Sequence, residues 1–524
     1  MNVRAARYAS ALMACAVFAS AIPAAFAKTA TAQPLHIDVR SQTTPRDRMA
    51  EQSIGADFPG TLIRNDSLAQ LRTAQRELRF RYIRFHNVFA DQLGVYREVD
   101  GKPVYDWARL DYLYDQLRGM GLKPFVELGF TPDAMKQSNQ TIFYWKGNTS
   151  HPQPDKWTAL VDAFVRHCVG RYGIQEVRSW YFEFWNEPNL DGFWEKADQQ
   201  AYFDYYGRTA RTIKAIDPRL RVGGPSTAGA AWVPEFLAYA KKTGVPVDFV
   251  STHTYGVDGG FLDERGEGDN KLSRDPDAIV KDVSKVRREI EAAGHAGLPL
   301  FFTEWSTSYN PRDPIHDDYL SAAYILSKLR RTEGLAQGMS YWTYSDLFEE
   351  PGPQARPFEG GFGLMTPQGV RKAAWFAYKY LADLGDRELP TGDDQSIAAL
   401  NDRTVQVLAW RNVLPQQPVS NRPFFTKVRK PGQAAPLALD LAGMKPGAYE
   451  LRVRRTGFRQ NDAYSAYLDM GRPATLTAPD LQRLQALTAD APVVTAVNVG
   501  RGGTTRINLP MRENDVVMLE LRHR

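Results

Sequence analysis

The sequence predicts a (β/α)8 barrel followed by an antiparallel β-sandwich, and three observations carry that prediction. Eight apolar, strand-like runs alternate with helical patterns through the middle of the chain. After about Leu384 the helical runs give way to short β-type runs punctuated by Gly and Pro. Glutamates stand at the ends of two of the eight runs, where a barrel builds its active site.

The strand candidates are Ser53–Phe58, Arg81–Phe89, Lys123–Phe130, Ser179–Pro188, Arg221–Thr227, Asp248–Tyr255, Leu298–Trp305 and Met339–Asp346. The helical patterns between and after them include Ala108–Met120, Pro154–Tyr172, Gln199–Ile216, Trp232–Thr243, Asp277–Ala293, Asp317–Arg331 and Arg371–Leu384. Strands separated by helices imply parallel βαβ units, and eight of them close a barrel. A doubly wound open sheet is the alternative, but no Gly-rich phosphate fingerprint follows the first strand. In the C-terminal part the β-type runs are Ser396–Leu400, Val405–Arg411, Leu437–Leu441, Ala448–Arg455, Thr505–Leu509 and Val516–Leu521, with one helical island at Ala478–Thr488. Their short lengths and turn punctuation read as a sandwich. Leu35–Arg40, ahead of the barrel, alternates like a strand and is expected to join it. The expected organisation is residues 1–27 as a signal peptide, 28–50 as an N-terminal segment, 51–385 as the barrel and 386–524 as the sandwich.

The N-terminus reads as an export signal. Arg4 and Arg7 precede an apolar run from about Ala9 to Ile22, and Ala25-Phe26-Ala27 is a small-x-small cleavage site. Cleavage after Ala27 predicts a secreted or periplasmic protein that no longer holds to a membrane. Of the two cysteines, Cys15 leaves with the signal, and Cys168 remains as a buried small hydrophobe rather than a nucleophile.

Composition excludes several classes. The 524 residues are 43% hydrophobic and 24% charged, an ordinary globular balance. The net charge of +5 falls by two with Arg4 and Arg7, which leaves no electrostatic case for nucleic acid. Eleven Trp and 24 Tyr supply flat faces that suit sugar stacking. The eight histidines are scattered, with no His-Glu-x-x-His and no Cys cluster, so neither a metal nor an organic cofactor is expected. Gly224-Pro225-Ser226-Thr227-Ala228 fails the nucleophile-elbow pattern at its last position and reads as a strand-end loop.

The fourth strand ends Trp185-Asn186-Glu187-Pro188-Asn189 and the seventh Thr303-Glu304-Trp305. Strand alternation would place Glu183, Trp185 and Glu187 on one face, and Phe302 with Glu304 on one face. Pro188 would stop the strand directly after Glu187. Two carboxylates at one barrel mouth are what glycoside cleavage requires. A lone strand-end Glu is ordinarily a salt-bridged barrel residue. A binding protein for carbohydrate, without catalysis, would be favoured by the loss of either Glu, and both are present.

These motifs resemble the retaining glycosidases on (β/α)8 barrels. Arg84-Phe85-His86, Ser251-Thr252-His253-Thr254-Tyr255, the run from Tyr341 to Glu350, and Phe362-Gly363-Leu364 after Gly360-Gly361 are similar to glycoside hydrolase family 39, and most of all to its β-xylosidases. The resemblance implies a retaining exo-β-D-xylosidase acting on xylo-oligosaccharides, with Glu187 as acid/base and Glu304 as nucleophile. It implies that Asn186 grips the sugar 2-OH, that Tyr255 bonds Glu304, and that His253 reaches a hydroxyl or the nucleophile. His86 would contact hydroxyls, Arg84 would orient a carboxylate from beneath, Trp342 would be the stacking floor and Trp305 a support. Glu350, rather than Glu349, would accept two hydroxyl protons from the terminal sugar. The chain departs from the pattern at Asn87, where Gly is usual, and at Glu359, where His often stands. Iduronidases and endo-acting enzymes share the family. An iduronidase needs cations for its substrate carboxylate, and Arg356 is the nearest cation to the acidic strand-eight segment.

Overall fold

The computed structural model describes residues 34–401 and 404–524. The expected signal peptide lies outside the described residues. Eight parallel strands close a barrel: Ser53–Ala56, Tyr82–Phe85, Lys123–Leu128, Tyr181–Phe184, Arg221–Thr227, Phe249–Tyr255, Leu300–Ser306 and Gly338–Tyr341. The last returns to the first through Tyr341 opposite Ile54. All eight lie within the runs the sequence marks, or within one residue of them. A helix at Asn65–Leu78, between the first two strands, escaped the sequence reading. The helices that the sequence marks match closely, as at Pro154–Tyr172, where Pro154 starts the helix and Trp157, Leu160, Val161, Phe164, Val165 and Cys168 form its buried stripe. Burial drives the Cys168 thiol well above its ordinary range, which agrees with an inert packing role.

The barrel interior is layered. Tyr82, Phe125, Tyr181, Phe249 and Phe301, near the strand starts, form an aromatic plug with ring centroids as close as 4.8 Å. Two residues further along each strand the interior turns polar, with Arg84, Glu127, Glu183 and Thr303. The plug therefore shuts one end of the barrel and leaves the ion network facing the other. Gly223 belongs to this packing, because a Cβ there would meet the Phe249 carbonyl oxygen at 2.3 Å.

The C-terminal part forms two sheets. One runs in the order Thr44–Pro45, Arg387–Leu389, Ser396–Asn401, Thr404–Trp410, Val516–His523, Gly447–Thr456 and Val493–Val499. The other holds Leu35–Asp38, Gln433–Ala442 and Thr505–Arg512. Leu35, Ile37, Val407, Leu439, Leu519 and Leu521 pack in the core they share. Leu35–Asp38 joins as expected, but it pairs parallel to Gln433–Ala442, so the sandwich is not wholly antiparallel. The strand Val493–Val499 was missed because its burial does not alternate along the edge where it lies. A segment between the sandwich strands reaches back to the barrel. Asn421 Nδ2 donates to Asp313 at 2.7 Å and its Oδ1 accepts from the Leu272 amide at 3.0 Å, while Arg429 pairs with Asp318 at 2.7 Å. These contacts clamp the loops that follow strands six and seven.

A buried ion cluster secures the loop after strand eight. Lys372 Nζ lies 2.6 Å from both Asp317 and Asp346 and donates to the Gly361 carbonyl. The two aspartates accept the amides of Gly360 and Gly363 at 2.7 Å. Burial pushes both carboxyls up, Asp317 to about 6, and the Lys372 cation opposes this. Lys372→Met would leave two buried acids facing each other. It should destabilise the fold by about 3–5 kcal/mol in urea unfolding, as loss of one partner of a buried pair does; a change within experimental error would show the cluster to be neutral.

Candidate active site

The site is built upward from Arg84. Its guanidinium, fully buried, gives Nε to Glu183 at 2.6 Å, Nη1 to Glu304 at 2.8 Å and Nη2 to Asn186 at 2.8 Å, and Nη2 forms an ion pair with Glu127 at 2.9 Å. Burial works against its charge, and the carboxylates of Glu183, Glu127 and Glu304 more than offset this. Arg84 thus joins strands two, three, four and seven, and it aims one oxygen of Glu304.

Strand alternation does not place the two acidic residues. The fourth strand ends at Phe184, not beside Pro188. Trp185 takes φ +68 and packs outward, 4.8 Å from the Trp194 ring, with Nε1 donating to the Phe193 carbonyl. Glu187 takes φ +45, and its amide donates to the Ser226 carbonyl at 2.8 Å. Left-handed backbone at two of three residues turns Glu187 back over the barrel while Trp185 stays outside. On strand seven the pairing skips Thr303, with Thr252 opposite Phe302 and His253 opposite Glu304. This bulge lets Thr303, which donates to Glu183, and Glu304 both face inward, while Phe302 points into the helix layer. Phe302 and Glu304 therefore do not share a face. Trp305 also lies in that outer layer, 5.9 Å from Tyr341, and supports strand seven from behind.

At the barrel mouth, Glu187, His253 and Glu304 each offer one atom within 4.8 Å of the others. Among the described residues this is the one group with metal-ligand spacing, but its atoms already serve one another. His253 Nδ1 lies 2.9 Å from Glu187 and 3.6 Å from Glu304. Burial lowers this histidine to about 4, so it is neutral. Burial raises Glu187 to about 7, with the His86 and Arg84 cations opposing the push and the like charge of Glu127 adding to it. Glu304 accepts from Tyr255 Oη at 2.8 Å on the oxygen that Arg84 leaves free. Burial, then the Glu304 charge, keeps Tyr255 protonated as that donor. Asn186 spends its carbonyl oxygen on Arg84, so its NH2 is the free terminus. The segment read as a mere strand-end loop lies within this assembly, with Ser226 Oγ 3.3 Å from Arg84 and 3.5 Å from His253 Nε2.

A second group gathers beside strand two. His86 Nδ1 meets Glu127 at 2.6 Å, and its Nε2 points to Glu350 at 3.1 Å and Glu304 at 3.6 Å. Trp342 lies 4.7 Å from the His86 ring, with Phe348 and Phe362 behind it. Glu349 turns away to pair with Arg64 at 2.6 Å, which leaves Glu350 as the acid at the site. Asn87 adopts φ +58, a conformation Asn tolerates, and its Oδ1 accepts the Phe130 amide. Glu359 sits near Arg312 at 3.8 Å and accepts the Ala355 amide, away from the two central acids. Arg356 is spent on the Arg472 carbonyl. Glu127 was not singled out from the sequence. Its signal was the same as that of Glu183, an acid two residues past an aromatic on a barrel strand.

Comparisons with known proteins identify the family. The profile of Glycosyl hydrolases family 39 matches residues 35–504. A β-xylosidase of Geobacillus stearothermophilus is 33% identical over 478 residues, covering 89% of this chain and 91% of its own. The crystal structure of a monomeric β-xylosidase from Caulobacter crescentus is 62% identical with a TM-score of 0.92, covering 94% of this chain and all (100%) of its own. That of the family 39 enzyme from Xanthomonas axonopodis pv. citri is 58% identical with a TM-score of 0.94, covering 96% and 100%. With its barrel, its paired strand-end glutamates and these matches, the chain belongs to family 39 of the glycosyl hydrolases.

Proposed function

We propose that this enzyme is a retaining, exo-acting β-D-xylosidase that releases xylose from the non-reducing ends of xylo-oligosaccharides. One observation carries the reading. Oxygens of Glu187 and Glu304 lie within 4.8 Å, and the two carboxyls stand in unlike environments. Retaining glycosidases hold their carboxyls about 5–5.5 Å apart, whereas inverting ones leave room for a water.

In this reading Glu304, aimed by Arg84 and Tyr255, attacks the anomeric carbon from one face. Glu187 gives its proton to the leaving oxygen as the glycosidic bond breaks. The sugar is then held as an ester of Glu304. Glu187, now a carboxylate, takes a proton from water, whose oxygen attacks the same carbon and releases Glu304. Each half reverses configuration, so the product keeps it. Asn186 donates to the 2-OH, Trp342 stacks against the ring, and Glu350 with His86 holds the hydroxyls far from the scissile bond. The relatives named β-xylosidases support xylose as the sugar. The electrostatics support it too. Arg84 and His86 are each committed to carboxylates, and Arg64, Arg312 and Arg356 are turned to other partners. A uronate would meet acids and no unspent cation among these groups. We also propose that the protein is exported, beginning at Lys28 after cleavage.

Proton NMR of the first product should show β-xylose before mutarotation. An α-anomer appearing first would mean inversion and overturn the role of Glu304.

The pH profile should carry the signature of Glu187. Only its protonated form can serve the leaving group, so kcat/KM on a natural xyloside should fall as pH rises through about 7. A basic limb more than two pH units away would detach Glu187 from the acid role.

The leaving group should separate the two steps. Glu187→Ala should lose about 10²–10⁴-fold on xylobiose, whose leaving alcohol needs the proton. On a dinitrophenyl xyloside it should show a burst and then slow turnover, which azide speeds by forming β-xylosyl azide. Equal losses on both substrates, with no burst, would reduce Glu187 to a structural carboxylate.

A further inference from the structure

Glu127 has no place in the two chemical steps, yet it is completely enclosed at the centre of the network. It is 1% exposed, its Oε2 lies 2.6 Å from His86 Nδ1 and 2.9 Å from Arg84 Nη2, and its Oε1 is reached only by the Asn87 amide at 3.4 Å. It is too deep to meet a sugar. What it touches is the far side of His86, whose other nitrogen faces Glu350. The chain of atoms therefore runs from a buried carboxylate, through one imidazole, to the acid at the rim.

We propose that Glu127 is a positioning residue that fixes His86 as a doubly protonated donor, with its Nε2–H toward Glu350, and thereby sets how readily Glu350 ionises to accept the hydroxyls of the terminal sugar. This rests on the glycone role given to Glu350 above. Around His86 stand Glu127 on strand three, Glu304 on strand seven, Glu350 beyond strand eight and Arg84 on its own strand, with the rings of Phe130, Phe143 and Trp342 filling the rest. Burial alone would strip the ring of its charge, but the Glu127 carboxylate, followed by that of Glu350, holds it well above the ordinary histidine range. Burial pushes Glu350 up to about 8, and His86 is the group that opposes the push. Without a charged His86, burial and the charges of Asp57 and Glu304 would hold the Glu350 proton more tightly still, leaving less carboxylate to accept from two hydroxyls. Glu127 is itself held below its ordinary value, because His86 and Arg84 outweigh its burial. The charge that orders the rim is thus stored one layer beneath it, where substrate and water do not exchange with it.

The test is Glu127→Gln, which keeps an oxygen for Arg84 but removes the negative charge. Nitrogen-15 NMR of the histidine rings, with His86 assigned by its loss in His86→Gln, should show His86 charged up to pH 8 in the wild type. In Glu127→Gln it should titrate between pH 5 and 8. On the glycoside that the wild type cleaves, KM at pH 7 should rise at least about tenfold, the scale of one charge-assisted hydrogen bond, with kcat changed much less. In a His86→Gln background, adding Glu127→Gln should raise KM no further, because Glu127 acts through that ring. Glu127→Asp, which keeps the charge, should keep His86 protonated and restore most of the KM; it stands in should Glu127→Gln not fold. A His86 that stays charged through pH 8 in Glu127→Gln, or an unchanged KM, would overturn the proposal, as would loss of the charge in Glu127→Asp. The ring titration needs no substrate, so it reads this inference even where a β-xyloside is not turned over.

Discussion

The organisation of this protein depends on one buried cation. Arg84 meets Glu183, Glu304, Asn186 and Glu127 within 2.9 Å, from a position with no solvent exposure. A guanidinium offers five donors in a planar fork, and three barrel strands or their tips supply the acceptors. Removing its charge would leave Glu183 without a counter-ion, and Glu127 and Glu304 with His86 alone. Placing it on a loop would let the acceptors drift. The barrel satisfies both needs because parallel strands bring residues far apart in sequence to one level of the interior. Glu304 is 220 positions from Arg84 and Glu183 is 99 away.

Such a network is costly to bury and weak as a source of stability. The fold offsets it elsewhere. Beneath it lies the aromatic plug of Tyr82, Phe125, Tyr181, Phe249 and Phe301, which seals the barrel against water from below. Around it lies a continuous apolar layer that includes Trp157, Trp185, Trp194 and Trp305, all fully buried. Water is thereby kept to the rim, where Glu187 and Glu350 retain side-chain exposures of 12% and 10%. Two glutamates of the same chemistry nonetheless differ in proton affinity, because their charged neighbours differ. Glu127 is held low by two cations, and Glu187 is lifted by burial with only a neutral histidine in contact.

The sandwich contributes to the site indirectly. Asn421, Arg422 and Arg429 bond the hairpin and the loop that follow strands six and seven, the strands that carry Tyr255, His253 and Glu304. Next to this clamp, Lys372 with Asp317 and Asp346 anchors the glycine-rich turn against the tip of strand eight, where a Cβ on Gly363 would meet the Asp346 amide at 2.2 Å. The loops after strands six, seven and eight are therefore tied down by buried polar contacts rather than left free.

Much of this was legible in the sequence. Periodicity marked all eight barrel strands, the strand-end position marked Glu187 and Glu304, and the resemblance to family 39 marked Asn186, His253, Tyr255 and Arg84. Those features are local, or follow from the rule that barrel chemistry sits at strand ends. The helix Asn65–Leu78 escaped although Leu68, Leu71, Ala74 and Leu78 recur at helical spacing, and the edge strand Val493–Val499, five of whose seven residues are Val or Ala, lies largely exposed rather than half-buried. The facing of the acids was another matter. Alternation assigned Trp185 and Phe302 to the faces of Glu187 and Glu304, but positive φ at Trp185 and Glu187 and a skipped residue at Thr303 reversed both assignments. Such irregularities arise where packing from neighbouring strands outweighs the local preference of the backbone, and one residue's sequence neighbours do not report it. Glu127 remained unremarked for the same reason. An acid inside a barrel strand looks alike whether it meets solvent, a lone counter-ion, or both Arg84 and His86. Composition and spacing determined which residues this protein has for its chemistry. Only the closed barrel, by bringing distant strands within hydrogen-bond reach in a place without water, decided which of them carry a proton.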